Sequence, residues 1–206
     1  MTRMSSPLKS GLTPEEYLAF ERRSLERHEY VDGELFAMSG ASERHNQIVV
    51  NLSGEIRTQF KGRSCRVYTN DMRIRIAGTK RYCYPDVAAL CDPAVFDDEQ
   101  KDTLINPSLI IEVLPASTEA YDRGEKFEYY RRIESLMEFV LVAQDKPYIE
   151  RFTRQSNDQW LFTATSGIES FVELSSAGCR LSLAEIYDKV QFGPEPGESA
   201  VSSDRN

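Results

Sequence analysis

The run Leu109–Leu114, with sequence LIIEVL, constrains the fold more than any other stretch of the chain. It is mostly apolar and of strand length, which is the pattern of a central strand covered on both faces. Ser117 stands where an N-cap would open a helix reaching about residue 133, and residues 137–142 repeat the apolar strand pattern. Strand, helix, strand is the usual parallel crossover unit and implies an α/β layering. Glu112 is the anomaly in this run. An unpaired carboxylate in such surroundings costs several kcal/mol, so something must compensate it. A solvated strand end or an Arg partner would do so as well as a functional partner would.

Periodicity sets the other elements. Thr13, followed by Pro14 and by Glu16, is a capping box that opens a short helix to about Ser24. Asp32-Gly33, between apolar and β-branched residues, marks a hairpin over residues 28–38. Ser42 caps a longer helix in which Ile48, Leu52, Ile56 and Phe60 recur every four residues, with Val49 beside them. Over residues 66–90 the period changes to two: Met72, Ile74 and Ile76 alternate with Arg73 and Arg75, Gly78 and Lys80 mark a turn, and residues 84–90 form another strand. Further short strands over 148–174 and a closing helix over 182–190 complete an α/β domain with a mixed β-sheet flanked by helices. We expect one domain over residues 13–192, an N-terminal extension over 1–12, and a disordered tail over 193–206, where Gly, Pro, Ser and charge cannot offset ordering entropy.

Composition narrows the function. No apolar run approaches the roughly 20 residues needed to cross a bilayer, and residues 1–11 lack the apolar stretch of a secretory signal, so a cytoplasmic protein without a membrane partner is expected. Cys65, Cys83, Cys91 and Cys179 show neither C-x-x-C spacing nor a nearby His pair, which removes the usual zinc patterns and leaves free, reduced thiols as the expectation. With His28 and His45 the only histidines, a metal would be held mostly by carboxylates, and these suit hard cations such as magnesium or manganese. The formal net charge of -8 stands against general nucleic-acid affinity, which relies on Lys and Arg. Glu195, Glu198 and Asp204 against Arg205 place only part of that excess in the tail, so any field favourable to phosphates must be local.

Four residues join Glu112 as candidates. Asp86 follows Pro85 at the start of a strand, where it could converge with Glu112 or simply cap a turn; two converging carboxylates need a cation or a shared proton to coexist. Lys126 shares a helix face with Tyr129, Tyr130 and Ile133, which suggests a functional ammonium, a snorkelling one, or an ion pair with Asp122. His45 shares the face of Ile48, Val49 and Leu52, fitting a supporting role or a satisfied core histidine. Glu34, directly after the hairpin turn, is an acid that could reach a metal or stay exposed. Arg73, Arg75, Lys80 and Arg81 cluster before Asp86 and could supply the local positive field, or form an exposed polar strand face.

The order Glu34, His45, Tyr84-Pro85-Asp86, Glu112-Val113-Leu114 and Lys126 resembles the Uma-two family of restriction endonucleases, within the PD-(D/E)xK nuclease superfamily. The likeness spans about residues 13–190 and is carried by YVDGE at 30–34, YPDV at 84–87, IEVLPAST at 111–118 and KFEYY at 126–130. It implies a restriction-endonuclease-like core in which Asp86 and Glu112, with the Val113 carbonyl, bind magnesium, or manganese in its place. Lys126 would orient or help deprotonate the attacking water, Glu34 and His45 would support the site, and DNA would be the partner. A homodimer is common among nucleases that cut both strands. Two departures stand out: Leu114 occupies the position of the superfamily's lysine, so Lys126 must substitute from the next helix, and Pro115-Ala116 replaces the family's Ser-Pro. A non-catalytic interaction module on the same fold and a hydrolase of another phosphate ester are the competing readings. A GxxxxGK[ST] phosphate loop is absent, which argues against nucleoside triphosphate hydrolysis.

Overall fold

The computed structural model describes residues 6–38, 40–114 and 122–192. The order is α1 (Pro14–Glu21), β1 (His28–Val31), β2 (Glu34–Ala37), α2 (Glu43–Gln59), β3 (Arg66–Thr69), β4 (Arg73–Ile76), β5 (Arg81–Cys83), β6 (Val87–Leu90), β7 (Thr103–Leu104) and β8 (Leu109–Leu114). A π-helical turn over Asp122–Lys126 then leads into α3 (Phe127–Tyr130), followed by β9 (Glu138–Ala143), β10 (Tyr148–Arg154), β11 (Trp160–Ser166), β12 (Phe171–Leu174), β13 (Cys179–Ser182) and α4 (Leu183–Ile186). Among the described residues no helix is long and apolar enough to cross a membrane.

β8 is buried along its whole length, and its alternation divides the core. Leu109, Ile111 and Val113 pack with Ile48, Leu52 and Ile56 of α2, while Ile110 and Leu114 pack with Tyr130, Ile133, Leu136 and Phe139 on the opposite face. Each fully buried Ile or Leu contributes roughly 1.5–3 kcal/mol, so a one-residue slip that exchanged the faces would be heavily penalised. β8 runs parallel to β9, as the apolar runs imply, and antiparallel to β6, in a six-stranded sheet ordered β11-β10-β9-β8-β6-β3. A second sheet, β2-β1-β5-β4-β7, carries the hairpin whose turn holds Asp32 and Gly33 at φ values of 49° and 100°; the second is a conformation that favours glycine.

Several expectations change. Antiparallel pairing of β3 with β6 sets Arg66 opposite Leu90, which brings Cys65 opposite Cys91, and the two form a disulfide across a separation of 26 residues. Only Cys83 and Cys179 are free, because strand register rather than local Cys spacing decides the pairing. The described part of the N-terminal extension is anchored, with Leu8 N–H donating to the Leu35 carbonyl at 2.7 Å and Leu35 N–H to the Lys9 carbonyl at 2.9 Å. The helix expected up to residue 133 is, in its described part, the π-helical turn and four-residue α3; the Ser117 cap lies outside the described residues, as does the tail 193–206. The closing helix stops at Ile186, and Lys189 adopts a φ of 64°.

Cross-linking positions this far apart stabilises a fold by about 2–4 kcal/mol through the unfolded chain. The double substitution Cys65→Ser/Cys91→Ser should therefore lower the urea midpoint, and strong reductant should lower the wild-type midpoint equally. An unchanged midpoint in both experiments would contradict the bond.

Candidate active site

The carboxyl end of β8, the start of β6, the first turn of α2 and the π-helical turn meet at one place. Register puts Val87 opposite Ile111, so Asp86 takes the next position, across from Glu112. Glu112 is 3% exposed on the α3 side of the sheet. Its Oε2 lies 3.0 Å from Lys126 Nζ, and its Oε1 accepts the Tyr130 hydroxyl at 2.7 Å. This partnership resolves the anomaly in the apolar run: one turn of chain supplies both a cation and a donor to the buried acid. Asp86 is held separately, its Oδ2 accepting the Val113 N–H at 2.7 Å and its Oδ1 lying 3.1 Å from His45 Nε2.

α2 delivers His45 because Ser42 caps the helix, its Oγ accepting the His45 N–H at 3.2 Å. The same hydroxyl donates to Gln144 Oε1 at 3.1 Å, and Gln144 Nε2 donates to the Val113 carbonyl at 3.3 Å. Gln144 thus ties the helix start to β8 from the end of β9.

Burial raises the Glu112 carboxyl to about 7; the Lys126 ammonium pulls the other way, the Asp86 charge pushes further up, and the Tyr130 hydrogen bond offsets part of the rise. For His45, burial opposes protonation, but the hydrogen bond to Asp86 and the charges of Asp86 and Glu112 outweigh it and raise the imidazole above its usual range. A cavity of about 30 Å³ adjoins Lys126, lined also by Glu29, Arg81, Cys83, Tyr129 and Tyr130. That is room for about two or three waters, at roughly 10–15 Å³ each.

A family model described as "Putative restriction endonuclease", Uma2, matches residues 14–184. The chain belongs to the Uma2 family. The uncharacterized protein slr1290 of Synechocystis sp. is 36% identical over 181 residues, covering 88% of this chain and 94% of its own. Its companion sll1609, from the same organism, is 35% identical over 164 residues, covering 80% and 93%. The crystal structure of a putative nuclease of the DUF820 group from Anabaena variabilis superposes with a TM-score of 0.72 at 16% identity, covering 87% of this chain and 99% of that one. This Uma2 protein shares that fold.

The other residues singled out in the Uma2 sequence are placed differently. Glu34 is exposed on the outer strand β2, opposite Val31, and among the described residues no side-chain hydrogen bond or ion pair joins it to the cluster. Arg73 is 3% exposed: Nε donates to Thr103 Oγ1 at 2.9 Å, Nη1 to the Tyr84 hydroxyl at 3.0 Å, and Nη2 lies 2.9 Å from Asp102. Its charge is neutralised inside the fold and cannot meet a phosphate, which corrects the reading of a four-residue basic stripe. Arg75 pairs with Asp97, Lys80 is exposed, and Arg81 lies 3.5 Å over the Tyr129 ring. Sequence reading missed Gln144, Tyr130 as a ligand of Glu112, and Glu29, whose charge acts on Tyr130 and Cys83. Tyr130 left a signal in its shared face with Lys126; Gln144 and Glu29 needed the tertiary neighbours.

The raised Glu112 carboxyl has a sign that can be checked. An unfolded Glu titrates near 4.3, so this group adds stability that is complete below about that pH and is lost as pH rises through about 7. In metal-free buffer, wild type should lose more stability than Glu112→Gln between about pH 5 and pH 8. Denaturant midpoints at the two values measure this, and equal pH slopes for both proteins would refute the assignment.

Proposed function

We propose that this Uma2 protein is a magnesium-dependent endonuclease that hydrolyses DNA phosphodiester bonds at Asp86, Glu112 and Lys126, with manganese able to replace magnesium. The observation that carries this reading is the buried Glu112 carboxylate, facing a second carboxylate and held 3.0 Å from an ammonium. Among the described residues no group of three or more His, Cys, Asp or Glu side chains is gathered for a metal. Two carboxylates and the Val113 carbonyl nonetheless fit magnesium, which takes one or two carboxylates and completes its shell with water and substrate phosphate.

Bound magnesium would supply polarisation of the scissile phosphate and stabilisation of the charge developing on its oxygens. The chain's own residues do the positioning. Tyr130 and Lys126 fix Glu112, and the Val113 N–H and His45 fix Asp86. The Gln144 amide orients the Val113 carbonyl. Lys126, beside a small cavity, donates to the attacking water and orients it. Arg75, Lys80 and Arg81 meet the DNA backbone, and Glu34 supports the site from outside the cluster, on β2. We take the protein to act as a homodimer in the cytoplasm.

Purified wild type should nick supercoiled plasmid in magnesium or manganese and lose activity with chelator. Asp86→Ala, Glu112→Ala and Lys126→Ala should each lower the rate by about 10²-fold or more. Equal residual nicking in wild type and all three variants would assign the activity to a contaminant. DNA binding without cleavage under any metal would favour a non-catalytic module.

A further inference from the structure

The sheet edges of the described residues differ in how they resist self-association. β2 carries Glu34 and is bridged by Lys9, β7 has two residues, β3 carries Arg66, and β12 and β13 carry Glu173 and Arg180. Charge, shortness and coverage are the ordinary protections of an edge strand. β11 has none of them: it is the outer strand of the six-stranded sheet, seven residues long, with the sequence WLFTATS and no charge or proline. Leu161 and Phe162 are 52% and 50% exposed on it.

We propose that β11 pairs antiparallel with β11 of a second copy about a two-fold axis at Thr163, joining two sheets into one. The order of side-chain sizes along the strand selects this partner and register. Pairing about Thr163 sets Trp160 opposite Ser166, Leu161 opposite Thr165, and Phe162 opposite Ala164, so every large side chain meets a small one. A parallel in-register arrangement would instead stack large on large. The charge balance agrees: two chains of net charge -8 repel, and an uncharged strand offers them contact without opposed like charges. Because the contact is isologous it closes at two copies and does not propagate into fibres.

This names the surface of the homodimer taken above, but it is tested by mass rather than by cleavage, so it can fail while the nuclease reading stands and the reverse. Sedimentation of the full chain at micromolar concentration should show twice the monomer mass. Ala164→Lys and Phe162→Glu each put a charge on the contact and should raise the dimer dissociation constant by about 100-fold or more. Mixed in equal amounts, the two variants should return to within about tenfold of wild type, because the introduced ammonium of one copy then faces the introduced carboxylate of the other. A folding defect would not be rescued by mixing. A monomeric wild type, a dimer indifferent to both substitutions, or a mixture that stays monomeric would each overturn the proposal.

Discussion

A carboxylate buried between two apolar layers is the constraint around which this protein is arranged. Glu112 cannot sit in β8 unless a donor and a cation reach it from the α3 side, and the π-helical turn into α3 brings Lys126 and Tyr130 to its two oxygens. The sheet explains why the acid needs partners: β8 lies between β9 and β6 with both faces covered, and Glu112 stands near its carboxyl end, where the π-helical turn supplies them. Breaking such a buried pair by removing one partner is far more costly than losing an exposed one.

Asp86 depends on a separate buried network. The Tyr84 hydroxyl donates to Glu21 Oε1 at 2.8 Å and accepts from Arg73, while Glu21 also receives the His28 N–H at 2.9 Å. These contacts tie α1, β1 and β4 to the segment Tyr84-Pro85-Asp86, and they account for the burial of Arg73. An arginine in a strand before a candidate acid looks like a phosphate ligand in one dimension. In three dimensions it braces the chain that carries the acid.

The sequence made the crossover unit, the hairpin, α2 and the pairing of an odd Glu with an odd Lys legible, because burial cost and periodicity act locally and leave a pattern in the residues themselves. Asp86 is persuasive in the sequence only through resemblance, since an Asp after Pro suits many turns. Cys65 with Cys91, Gln144 against Val113, and Glu29 beside the Lys126 cavity were not legible, because each depends on the register or neighbourhood of strands distant in the chain. The alternation of Arg73 with Ile74 was visible, but not that both would be covered.

Linkage between metal and proton tests the account most directly. A buried Glu112 that titrates at about 7 must release its proton to become a magnesium ligand. Calorimetric titration with magnesium near pH 6, in buffers of different ionisation enthalpy, should show proton release that fades toward pH 8 and is absent in Glu112→Gln. Magnesium binding without proton release, or the same release in Glu112→Gln, would contradict it.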